Sequence, residues 1–138
     1  MAANIHPVQK VVSDSKGEVD FLTDLDTVNR MVTKDAPQTR VSAVMKVPSV
    51  TLDEFLNCIN ILKIDVEGFE KAVLGGAKTI LSKNDLKLIV LEGPNEDIVS
   101  LLSEYGFSLC RYDIQKRCVC FDEQEVNENR ANGIFVRR

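Results

Sequence analysis

The chain has 138 residues, enough for one domain with a buried core but short for a complete nucleotide-binding enzyme. Its 44% hydrophobic and 28% charged residues are ordinary globular composition, and a net charge of −4 offers no attraction to nucleic acid or an anionic membrane. No apolar run approaches the ~20 residues that span a bilayer, and the stretch from Met1 to Pro7 lacks the basic and apolar regions of a secretory signal.

In chain order, Val8–Asp14 runs into β-branched residues and reads as a strand closed by the turn Asp14-Ser15-Lys16-Gly17. Glu18–Leu22 alternates polar and apolar, which predicts its hairpin partner. Thr23–Thr39 is sparse in apolar residues and reads as a long loop. Val41–Val50 alternates again, and Pro48 suggests an edge strand. Thr51-Leu52-Asp53-Glu54 is a capping box opening a short helix through about Asn57. Ile59–Asp65 is a buried strand. The stripe Phe69, Val73, Ala77, Ile80 predicts a helix that Gly75-Gly76 breaks or bends.

Leu86–Leu91 is nearly continuous apolar sequence, the pattern of a strand covered on both faces, and ends in Glu92. Asn95 caps a helix with Glu96 and Asp97 in its first turn, and Ile98, Leu101, Leu102 and Tyr105 form its apolar stripe. Gly106 stands where a C′ glycine belongs. Phe107–Tyr112 and Arg117–Phe121 predict a hairpin; a charged loop, Asp122–Arg130, leads to a last strand, Gly133–Arg137. From Thr51 onward the order α-β-α-β-α-β-β-β calls for a parallel sheet with helices on its faces and antiparallel pairing at one edge.

Chemistry concentrates where strands end in acids. Asp65 and Glu67 share parity after one strand, and Glu92 ends the next. If the strands are neighbours, the three carboxylates converge on one rim, where α/β proteins bind ligands. Such a cluster suits a general base, a ligand hydroxyl or amine, or a divalent cation, the last ranking lowest. The plainer account makes Glu67 a dipole-favoured first-turn residue and Glu92 a solvated turn residue. Lys63 shares the parity of Asp65 and can pair with it. Ser13-Asp14 can contact a ligand or simply form an Asx-type turn.

The four cysteines, Cys58, Cys110, Cys118 and Cys120, include no C-x-x-C pair, and the single histidine, His6, is remote, so no metal site is predicted. Reduced thiols in a cytoplasmic protein are expected; a Cys110–Cys118 bridge across the hairpin is allowed but not required. The sequence has no G-x-G-x-x-G, no Walker lysine motif and no nucleophile elbow.

The runs Val50–Leu56, Leu62–Glu70 (L-K-I-D-V-E-G-F-E) and Val73–Ala77 (V-L-G-G-A), with Val12-Ser13-Asp14, Gly17–Phe21 and Asn132–Arg137 in order around them, resemble the FkbM-type methyltransferases. The resemblance implies a Rossmann-like class I methyltransferase sheet, S-adenosylmethionine as cofactor, and O-methylation of a sugar or other small-molecule hydroxyl. It places Asp65 beside the cofactor's methionine end or the acceptor, Glu67 and Glu92 along the pocket, and Ser13-Asp14 on the adenine side.

The family's first strand with its D-x-G-x-N-x-G loop, and the second strand that ends in an acid, are not in the sequence. Residues 1–138 are therefore expected to form one N-terminally truncated domain, mostly parallel with an antiparallel C-terminal hairpin. With the family's strand order 3-2-1-4-5-7-6, the Ile59–Asp65 strand is left with an open edge that invites self-association, unless Val8–Ser13 moves in to fill the gap. The expected partners are a small-molecule or glycan acceptor, not nucleic acid or membrane. A non-catalytic interaction module of the same fold is the alternative.

Overall fold

A computed structural model describes residues 4–22, 44–66, 68–121 and 132–138. Three strands, β1 (Val11–Val12), β2 (Gly17–Leu22) and β3 (Val44–Val50), form a small sheet in the order β1-β3-β2. The larger sheet holds β4 (Ile61–Ile64), β5 (Leu88–Glu92), β6 (Phe107–Asp113), β7 (Cys118–Cys120) and β8 (Asn132–Arg137), in the order β4-β5-β8-β6-β7. The helices are α1 (Leu52–Phe55), α2 (Glu70–Gly75), α3 (Lys78–Ser82) and α4 (Glu96–Glu104). The loops expected at Thr23–Thr39 and Asp122–Arg130 lie outside the described residues.

The helix signals act as their chemistry requires. Thr51 Oγ1 accepts from the Glu54 amide at 3.2 Å, and Asn95 Oδ1 accepts from the Ile98 amide at 3.0 Å. The paired glycines end α2: Gly76 is its C-cap, and α3 resumes two residues later. Leu62, Ile64, Ile89, Leu91 and Phe135 supply one face of the large sheet to the core. Against it pack Val73 and Leu74 of α2, Ile80 and Leu81 of α3, and Ile98 and Leu102 of α4. Full burial of each such side chain contributes ~1.5–3 kcal/mol, so these residues set the register of β4 on β5.

The sheets are mixed, not mostly parallel. Among the described residues only β4–β5 and β1–β3 pair in parallel; β2–β3, β5–β8, β6–β8 and β6–β7 are antiparallel. Both predicted crossovers exist, but the second passes over one strand position. The last strand, β8, fills that position in the opposite direction, between β5 and β6. The β6–β7 hairpin is as expected. β4 is an edge strand whose side chains alternate exposed and buried, and β5 alternates half-buried and buried, so neither is covered on both faces.

The N-terminal strands also pair differently. β1 and β2 are not a hairpin, because β3 lies between them, and β1 does not pair with β4. β3 is thus central despite Pro48. The Val50 carbonyl accepts from Ser13 N–H on the β1 side, and Pro48 has the same parity, so its missing amide faces that side too. There β1 pairs only with Ser49 and Val50, and no ladder bond is lost.

Two clasps hold the layers. Arg137 donates to three carbonyls, Leu86 at 2.9 Å, Tyr105 at 2.8 Å and Leu81 at 2.6 Å, with its guanidinium 4.3 Å from the Phe107 ring centroid. One cation therefore satisfies carbonyls at the C-terminal ends of α3 and α4, where the helix dipole favours positive charge. At the other clasp, Asp53 takes the Thr79 and Ile80 amides of α3 at 2.8 and 2.9 Å, while its own amide donates to Gly76 at 3.0 Å. Burial pushes the Asp53 pKa up, but the amides of Thr79 and Ile80 and the charge of Lys83 outweigh it and leave the pKa lowered.

Gly76 also touches the small sheet. A Cβ there would sit 2.3 Å from the Ser13 carbonyl oxygen and 3.2 Å from Thr51 Cβ, whereas one at Gly75 would meet nothing closer than Asp14 Cβ at 3.5 Å. Gly76→Ala should therefore destabilise the protein by about 1–3 kcal/mol in urea unfolding. Gly75→Ala should be neutral or stabilise by up to ~1 kcal/mol. Equal effects at the two positions would contradict this close approach.

Candidate functional site

The parallel register pairs Ile64 with Leu91, so the next residues, Asp65 and Glu92, emerge side by side at the carboxyl ends of β4 and β5. Leu62 and Ile64 face the core, which turns Lys63 and Asp65 to the opposite face. Lys63 Nζ lies 2.6 Å from Asp65 Oδ2. Both side chains are largely open to solvent, 61% and 49% exposed, so the pair adds little to stability and acts mainly on charge.

The Lys63 hydrogen bond, a hydrogen bond with Glu92 and the Lys63 charge together hold the Asp65 carboxyl below its ordinary pKa. The hydrogen bond to Asp65 and the charges of Asp65 and Glu92 raise the Lys63 pKa. Asp65 is thus an anion throughout the neutral range, half open to solvent, with a second carboxyl against it.

The backbone after each acid turns sharply through a glycine. Gly68 has φ +93° and Gly93 has φ +53°, conformations that disfavour residues with a Cβ. Beyond Gly68, Phe69 provides no side-chain cap for α2, and Glu70, the first helical residue, ties down the preceding turn. Its carboxylate is buried and accepts from the Gly68 amide at 3.2 Å. Glu70 was not among the predicted site residues; its signal was an acid at a helix start two residues after a glycine. It holds the loop that follows Asp65 in place.

The structure brings Asp65, Glu92 and Lys63 together. Glu67 lies outside the described residues. Ser13 and Asp14 lie elsewhere, against Gly76 and Gly75 at the far end of α2. That helix is six residues long and carries the chain about 9 Å away from the loop after Asp65. Ser13 is buried, and its hydroxyl and that of Ser15 both donate to Asp14 Oδ1, at 3.3 and 3.0 Å, the arrangement of a local polar turn. Among the described residues no group of three His, Cys, Asp or Glu side chains is placed to hold a metal ion, and no helix is long and apolar enough to cross a membrane.

A helix-flanked strand pair ending in acids makes this a mixed α/β protein, and in open α/β sheets such strand ends are the usual place for a ligand. Comparison with known families gives the particular class: the Methyltransferase FkbM domain matches residues 4–109, most of the chain, and the protein belongs to that family. The matched span includes Ser13, Asp14, Asp65 and Glu92. No curated protein and no solved structure matches the chain.

Neutralising Lys63 tests the electrostatics of the rim. In Lys63→Met the Asp65 carboxyl should titrate at a higher pH than in the parent, read by carbon NMR of the side-chain carboxyl. The sign follows from the lowered pKa: ionised Asp65 favours the fold above the ordinary aspartate range, and that contribution fades as pH falls through the folded value. An unchanged midpoint would show that Lys63 does not set the charge.

Proposed function

We propose that the protein is an S-adenosylmethionine-dependent methyltransferase that methylates a hydroxyl of a sugar or another small molecule, with Asp65 as the central residue of its site. The observation that carries this reading is the meeting of Asp65 and Glu92 on adjacent parallel strand ends, within the span matched to the methyltransferase family. The cofactor's methionine end carries an ammonium and a sulfonium, with a carboxylate that must face away from these acids. An ionised Asp65 with a second carboxyl beside it suits such cations, so the donor set fits the group.

When bound, S-adenosylmethionine supplies an electrophilic methyl group. The rest falls to the chain's own residues. Asp65 accepts a hydrogen bond from the acceptor hydroxyl or the cofactor's ammonium and holds it at the strand end. Glu92 supports it from β5, and Glu67 is the third acid of the pocket in this reading. A carboxylate with a lowered pKa is a weak base toward a sugar hydroxyl, so Asp65 contributes orientation more than proton removal. Lys63 keeps Asp65 charged. Ser13 and Asp14 take the adenine side in this reading.

A second reading, a non-catalytic interaction module, draws on a different observation. β4 ends the larger sheet, its outer backbone groups face no strand among the described residues, and Ile61 beside them is 65% exposed. Such an edge favours pairing with a second copy of the chain.

Transfer of labelled methyl groups from S-adenosylmethionine to a panel of sugar and small-molecule hydroxyls separates the two. The proposal expects labelled product that falls ~100-fold in Asp65→Asn. No transfer to any acceptor, alongside concentration-dependent dimers that Ile61→Lys dissolves, would favour the module.

A further inference from the structure

One cluster of nucleophilic groups plays no part in the proposed site. Cys118 and Cys120 are the two ends of β7, so their side chains leave the same face of the strand. Their sulfurs are 4.0 Å apart. Across the hairpin, Asp113 is opposite Cys118 and Arg111 is opposite Cys120. All four cysteines are free. The other two are occupied separately: the buried Cys110 donates to the Ile134 carbonyl at 3.2 Å, and Cys58 lies 3.5 Å from Asp85 Oδ2.

We infer that Cys118 and Cys120 form a two-thiolate site for one soft monovalent cation, Cu(I). Two geometric facts favour an ion over a disulfide. Alternate Cα atoms of an extended strand are ~6.4–6.8 Å apart, at the upper limit of the 4.4–6.8 Å range that disulfides span, and the sulfurs would have to close to about 2.05 Å. A metal held by two thiolates at ~2.3 Å each reaches across as much as ~4.6 Å. The observed 4.0 Å separation therefore accepts the ion with the strand where it stands.

The donor set selects the metal. Zinc in a structural site takes four ligands, and among the described residues no third His, Cys, Asp or Glu is placed to join the pair. Cu(I) is satisfied by two thiolates, and soft sulfur ligands select it over harder cations. Binding converts two thiols and one Cu(I) into a complex of charge −1 and releases two protons; no electron is transferred. Arg111 and Asp113 stand on the same strand face as the complex, 4.0 Å apart as an ion pair, so their charges offset each other there. The hairpin is at the opposite edge of the sheet from β4, so the ion would not touch the Asp65 rim.

The test is an anaerobic titration of the reduced full chain with Cu(I) against a chromophoric Cu(I) chelator. The wild type should take one equivalent, and affinity should rise by about 100-fold per pH unit while both thiols remain protonated in the free protein. Cys118→Ser and Cys120→Ser should each lose the ion, Cys58→Ser should keep it, and all three should retain the parent circular dichroism spectrum. Full binding by either β7 variant would overturn the site. So would no binding by the wild type, or one ion shared between two chains.

Discussion

The parallel pairing of β4 with β5 is the constraint on which the candidate site depends. Burial of Leu62, Ile64, Ile89 and Leu91 fixes that register, and a one-residue slip of β4 would turn Leu62 and Ile64 to the wrong face. With the register held, Asp65 and Glu92 have no choice but to meet at the rim. The polar contacts then tune the charge and do not create the arrangement. Gly68, Gly93 and the inward carboxylate of Glu70 complete the two turns that open the rim to solvent.

Around this pair, the protein is tied at helix ends. Arg137 gathers carbonyls from the ends of α3 and α4, while Asp53 and Gly76 bring the starts of α1 and α3 together. The same Gly76 lies against the Ser13 backbone, so the segment after β1 meets the end of α2 through a contact that admits no side chain. That contact also accounts for the position of Ser13-Asp14. The segment packs at the far end of α2, and its hydroxyl–carboxylate bonds are local.

Features carried by neighbouring residues were legible in the sequence. The Thr51 and Asn95 caps, the break at Gly75-Gly76, the β6–β7 hairpin and the acidic strand ends each arise from interactions within a few positions. The family was legible too, because its motif sits on one continuous strand–turn–helix. Sheet order was not legible where distant segments decide it. The residues of Asn132–Arg137 do not by themselves announce that the last strand will enter between β5 and β6; that placement came with the family's strand order, in which strand 7 lies between 5 and 6, and Pro48 signals only that one side of its strand lacks a donor. The sequence likewise could not say that β3 would separate β1 from β2. Glu70 was hidden for another reason: an acid at a helix start is normally solvated, and here it is buried and bonded to the Gly68 amide before the helix. The 4.0 Å approach of Cys118 and Cys120 followed from shared parity, but its distance needed coordinates.

The claim that the methyl-transfer site lies at the Asp65–Glu92 rim is tested most directly by mapping where the cofactor product binds. S-adenosylhomocysteine titrated into isotopically labelled protein should shift the backbone amide signals of Asp65, Val66, Gly68, Glu92 and Gly93 first and most. Asp65→Asn should weaken that response. Saturating ligand that left these amides unmoved, or shifted only those of the β6–β7 hairpin, would contradict the assignment.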